Sequence, residues 1–339
     1  MHKIIAFVLA EVPKVKGGEV FQAKSLQSAP HYFPQAIPQQ FIVDKESSKD
    51  GHFLIKAYHP NIILVETTAE VESIFSDAAF ELREKLIDSC QKIIKKRGGQ
   101  FESSEEYAIG IVSDYKGDPE QYLQFSPRIA GFLKSEKLVL DENEVAYTLA
   151  SQIKYAKNDL IIVDWDGAFI FEPTGDVEAI VELLELANLQ LLRHRILDDD
   201  LDQRLKKISK IMQNIDGGKL VFKRKELANA FKEVLELRSK SILEFDALER
   251  ELKLVGDWYY ARLYDLAAKK FKLSTWRDAI KEKLDSLEDV YTIVSENFSI
   301  SRLHFLEMIQ IILFFVLQAG WLILIVFEFY IIAQGKLPF

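Results

Sequence analysis

From Ile309 to Ile332 the chain runs for 24 residues with one charge, Glu328, and one strongly polar side chain near its middle, Gln318. A helix needs about 20 apolar residues to cross a hydrocarbon core of roughly 30 Å, so this run is long enough to span a bilayer. A buried core helix seldom needs so many. The sequence therefore predicts a membrane helix, with residues 305–339 as the anchor. Trp321 lies mid-run and Tyr330 nearer an end, a partial aromatic belt. Seven residues follow, Ala333 to Phe339, which is the pattern of a tail anchor. Gln318 has no hydrogen-bond partner in lipid, and Ala319 and Gly320 beside it are small. Gln318 and Gly320 are thus candidate contacts for a second helix.

Orientation cannot be taken from flanking charge, because Arg302 before the run balances Lys336 after it. Met1-His2-Lys3 followed by Ile4–Ala10 imitates a short export signal. Its apolar stretch is only seven residues and stops at Glu11 and Pro13. It reads as a first β-strand. The soluble part is then expected on the cytoplasmic side, or the equivalent inner side of an organelle.

Two textures precede the anchor, and together they predict an α+β fold. Residues 1–175 read as a mixed α/β domain. Lys3–Val12, Phe53–Tyr58 and Asn61–Glu66 are strand-like, and the three prolines within Gln27–Gln40 suit a loop. Val71, Ile74, Phe75, Ala78, Leu82, Leu86 and Ile93 recur at helical steps and predict a helix over Ala69–Arg97. Lys92, Lys95, Lys96 and Arg97 complement its dipole, and Gly98-Gly99 can end it. Asp166-Gly167 between Leu160–Val163 and Ala168–Phe171 predicts a hairpin with positive φ in its turn. Asp164 and Asp166 fit that turn better than paired-carboxylate catalysis.

Residues 176–304 read as a helical bundle or coiled-coil stalk of long antiparallel helices. Asp176 can cap a first helix reaching about Asn214. A second covers about Lys225–Val255, a third about Asp257–Phe271, and Ser274 can cap a last helix that continues into the anchor. Ile280, Leu284, Leu287, Tyr291, Val294 and Phe298 alternate four- and three-residue steps, a heptad seam. A matching stripe runs from Leu227 to Val255. Such seams hold either an intramolecular bundle or a homo-oligomeric stalk.

Chemistry-bearing motifs are absent from the sequence. There is no phosphate-cradling GxxxxGK[ST] or GxGxxG, no HExxH around His194, and no GxSxG elbow. His52 and His59 are an odd number of residues apart, which puts them on opposite faces of a strand. The single cysteine, Cys90, excludes an internal disulfide or CxxC site. With 43 Lys and Arg against 52 Asp and Glu the chain is formally −9, so nucleic acid is not an expected partner. Asp198, Asp199 and Asp202 lie in the densest acidic cluster and are the candidate ligands for a hard cation. They lack an EF-hand loop, and a solvated helix face is the plainer expectation. No catalytic residue and no cofactor is expected; membrane lipid and further copies of the chain are the expected partners.

From Gly218 onward the chain resembles the "required for meiotic nuclear division" family of membrane-anchored proteins. The resemblance is carried by Gly218-Lys219-Leu220, Arg224-Lys225-Glu226-Leu227 and Leu237-Arg238. Further on it rests on Trp258, Leu263-Tyr264, Lys281–Leu287 and Leu306-Glu307, and upstream on Ala146–Lys154. It implies an anchored, oligomeric scaffold or assembly factor with no catalytic residues to carry over. One alternative is a CorA-like divalent-cation channel, which would need a second span and a Gly-Met-Asn signature; here stands Gln318-Ala319-Gly320-Trp321. Another is an enzyme with its site in the α/β domain.

Overall fold

The structure, a computed structural model, describes residues 1–13, 19–21, 40–48, 51–58, 61–213, 232 and 258–333. The chain opens with strands β1 (His2–Glu11), β2 (Glu19–Phe21), β3 (Gln40–Ser48), β4 (Gly51–Tyr58) and β5 (Ile62–Val71). Then come helix α1 (Asp77–Lys96), β6 (Ser104–Val112), α2 (Ser126–Leu133) and α3 (Glu142–Leu149). Next are β7 (Gln152–Ile153), β8 (Leu160–Val163), β9 (Gly167–Phe171) and helices α4 (Glu178–Gln213), α5 (Trp258–Lys270) and α6 (Leu273–Ala333). Among the described residues the strands form one sheet in the order β2-β3-β4-β5-β1-β6-β9-β8-β7. Every pairing is antiparallel except β6 with β9.

The expected α+β class is what forms. Strand β1 explains why the first apolar run imitates a signal. It lies between β5 and β6, pairing His2 with Val71 on one side and with Val112 on the other. Successive side chains of a strand point to opposite faces. Ile4, Ala6, Val8 and Ala10 enter the core beneath α1 and α2, while Ile5, Phe7 and Leu9 enter the core beneath α4 and α5. A central strand with both faces buried must be apolar throughout. The Met1 ammonium group donates to the Ser113 carbonyl at 2.8 Å, which fixes the strand's start.

Several expected boundaries move. The helix expected from Ala69 begins at Asp77, because Ala69–Val71 continue β5 against His2–Ile4 and Ser76 caps the helix by accepting from the Ala79 N–H. Its basic end is as expected: Arg97 caps, and Gly98 follows at φ +87°. The β8–β9 hairpin also forms, with Asp164 N–H donating to the Gly167 carbonyl at 2.8 Å. Its turn does not use positive φ at Asp166 or Gly167. Gly167 is needed for space, since a Cβ there would lie 2.6 Å from the Ala108 carbonyl oxygen of neighbouring β6. Helix α4 starts at Glu178 and α6 at Leu273, just after Lys272 at φ 52°.

Two compact units result, one of Met1–Arg204 with Glu236–Glu282 and one of Leu205–Leu235 with Lys283–Phe339. The first takes in much of what reads as stalk. Leu183, Leu184, Leu189 and Leu192 of α4, with Leu263, Tyr264 and Ala267 of α5, share one core with the sheet. The proline-rich Gln27–Gln39 stretch and the Leu227–Val255 stripe lie outside the described residues.

Candidate functional site

Leu306–Ile332 of α6 is a 27-residue apolar stretch whose most hydrophobic 18-residue window has mean hydropathy 2.5 and is nowhere buried against the described residues. At about 1.5 Å per residue it is about 40 Å long, more than the roughly 30 Å of a hydrocarbon core. The last helix thus runs unbroken from Leu273 through the apolar run, as expected. Phe314, Leu317, Trp321, Ile323 and Phe329 are each at least 58% exposed. Water does not tolerate so large an apolar surface on a single helix. Gln318 and Gly320, expected as one contact, are two residues apart and so lie about 160° apart around the helix. A Cβ added to Gly320 would meet nothing within 4 Å.

Of the heptad seam, Ile280, Leu284 and Leu287 are buried, Leu287 completely. Tyr291, Val294 and Phe298 also lie in α6, but their side chains are outside the described set. The acidic cluster sits mid-α4, where its members turn to different neighbours. Asp199 accepts from Gln203 Nε2 at 2.9 Å and Asp200 from Arg204 Nε at 2.8 Å. Among the described residues no group of three or more His, Cys, Asp or Glu is placed to hold a metal, and Asp198, Asp199 and Asp202 do not converge. His194 is buried in α4 with Nδ1 bonded to the Gln190 carbonyl at 2.7 Å. His52 bonds Ser47 at the β3–β4 edge; His59 lies outside the described residues. Cys90 is buried, and burial pushes its thiol above the ordinary value, which disfavours the thiolate form a nucleophile needs.

Buried ionic centres are what sequence reading missed. Lys56 on β4 reaches Glu185 of α4 at 2.7 and 2.8 Å, and Glu66 of β5 at 2.8 Å. Lys56 and Glu66 meet because Lys56 pairs with Leu64, two residues before Glu66 on the same face. Burial would lower the Lys56 ammonium, yet Glu185 and Glu66 outweigh it and hold it raised. One cation cannot neutralise two carboxylates. Glu185 is fully buried, and desolvation, with Glu66 beside it, pushes it up to about 8 against the pull of Lys56.

A second centre gathers at the β8–β9 hairpin. Asp164 accepts from the Trp165 N–H at 2.8 Å, with Lys270 of α5 at 3.1 Å and Lys134 at 3.7 Å. Lys270 also donates to Ser151 Oγ at 3.2 Å and lies 4.8 Å from the centre of the Tyr147 ring. Below it, buried Arg83 of α1 donates to Ser135 Oγ and to the Asp166 carbonyl. Asp166 is raised by burial, with Arg83 opposing. Asp164 is engaged by Lys270 and Lys134, while Arg83 Nε and Asp164 Oδ2 are buried without a hydrogen-bond partner. The arrangement ties α1, α2 and α5 to one hairpin. A groove of about 620 Å³ beside the start of α1 is lined by Ile74, Phe75, Phe80, Phe132, Leu138 and Val139. Its rim charges pair with chain neighbours, Arg128 with Asp77 and Lys137 with Glu84.

Comparison with known proteins covers much of the described fold. Residues 40–178, from the first residue of β3 to the first of α4, match the family described as "Uncharacterized protein MJ0711, N-terminal domain". The chain is 29% identical over 266 residues to Uncharacterized protein MJ0711 of Methanocaldococcus jannaschii, covering 78% of this chain and 80% of that protein. No solved structure matches. The likeness is thus longer than the matched domain, and this chain is similar to the archaeal protein over most of both lengths.

Proposed function

We propose that the protein is a membrane-anchored scaffold or assembly factor, held in the bilayer by Leu306–Ile332 and acting as a homo-oligomer. The carrying observation is that 27-residue apolar helix, no residue of which is buried against the described residues. One further observation supports a scaffold over an enzyme: the buried carboxylates Glu185 and Asp164 are engaged by Lys56 and Lys270, which tie helices to the sheet. In this reading the folded unit stays on the cytoplasmic side. Ile4–Ala10 is committed to the middle of the sheet, and the span lies C-terminal to the fold. The resemblance of the C-terminal part to the meiotic nuclear division family points the same way.

The test is cross-linking in native membranes followed by pull-down of the full-length chain. The expected result is a discrete assembly containing two or more copies together with specific membrane partners. A protein recovered only as a monomer without partners would contradict the scaffold reading. Turnover of a nucleotide, ester or phosphomonoester by the purified chain would replace it with an enzyme.

A further inference from the structure

Six side chains within Leu306–Ile332 can make hydrogen bonds: Glu307, Gln310, Gln318, Trp321, Glu328 and Tyr330. They are not scattered. At about 100° of rotation per residue, the first five fall within a sector of roughly 100°, and only Tyr330, near the end, lies outside it. Ile311, Phe314 and Ile325 occupy the same sector. The sequence Ile311, Phe314, Gln318, Trp321, Ile325, Glu328 therefore alternates three- and four-residue steps, the repeat of a two-helix seam. It is a different stripe from the seam that ends at Phe298, which at the same steps would continue to Ile312 and Phe315, one residue on and about 100° away.

The geometry points to this stripe as the surface on which a second copy of the same span docks. The inference rests on the anchored reading above and names the partner and the face. Lipid gives an amide or indole N–H no hydrogen-bond partner, so polar side chains within a span turn toward protein or a water-filled cavity. Gln318 and Trp321 are exposed on the isolated helix, Trp321 at 69%. Copies of one chain enter the bilayer in the same orientation, which brings each Gln318 to the depth of its counterpart. A glutamine amide both donates and accepts, so two of them at equal depth satisfy each other. A partner of different sequence would need a polar group at that depth; a second copy has one by construction.

Full-length protein in phospholipid vesicles tests this by disulfide cross-linking, since Cys90 is buried and gives no background. Ile325→Cys and Phe314→Cys, on the stripe, should yield dimers on mild oxidation. Ile323→Cys and Phe327→Cys, on the opposite side, should not. Gln318→Leu in the Ile325→Cys background should lower dimer yield as if self-association had weakened about three- to thirty-fold. Equal yields on both faces, no dimers at any position, or oxidation only to other proteins would overturn the assignment. Alkaline extraction of the same vesicles separates the two readings. Protein that stays in the bilayer but cross-links indifferently contradicts only the stripe, whereas protein released by alkali contradicts the anchor itself.

Discussion

Glu185 sits where a carboxylate is hardest to keep ionised, fully buried beside one lysine that it shares with Glu66. Its proton is held up to about 8, against an ordinary 4.5. The folded state therefore keeps a proton that the unfolded chain has lost, and stability must fall as pH rises between those values. Thermal unfolding of the full chain in detergent should show that slope, and Glu185→Gln should flatten it. An unchanged slope in the variant would assign the titration elsewhere. Lys56→Met strips Glu66 and Glu185 of their shared cation and should cost about 3–5 kcal/mol above the pH at which both are ionised, and less below it. Gly167 gives a steric counterpart. Gly167→Ala brings a Cβ against the Ala108 carbonyl and should cost about 1–3 kcal/mol by the same measurement.

At the scale of elements, local patterns are legible and meetings between distant segments are not. The β8–β9 hairpin, the basic end of α1 and the unbroken α6 all follow from neighbouring residues. The start of α1 does not: Val71 fits a helical step, and only its pairing with His2 places it in a strand. The glycine of the Asp-Gly turn is legible as a position but not as a reason, because its requirement comes from β6. The ionic centres are invisible for the same cause. Lys56 and Glu185 are 129 residues apart, and no spacing in the chain announces that they touch. The heptad seam is a stronger local signal, and Leu287 tests it where the structure describes it. Leu287→Ala should cost about 2–5 kcal/mol, while Asp289→Ala, exposed on the same helix, should stay within about 0.5 kcal/mol. Equal shifts in melting temperature would remove Leu287 from a packed seam.

For the whole molecule, a sheet packed on both faces forms the folded unit, and one exposed C-terminal helix is long and apolar enough to cross a membrane. Burying that helix in lipid would remove the extended apolar surface that Leu306–Ile332 leaves uncovered among the described residues. Deleting residues 305–339 should accordingly leave a folded unit that remains in the supernatant. The decisive measurement is alkaline carbonate extraction of membranes holding the intact chain, a treatment that strips peripheral proteins and leaves spanning helices in place. The intact protein should stay in the membrane pellet and the truncated form should not. Release of the intact chain into the carbonate supernatant would contradict the account.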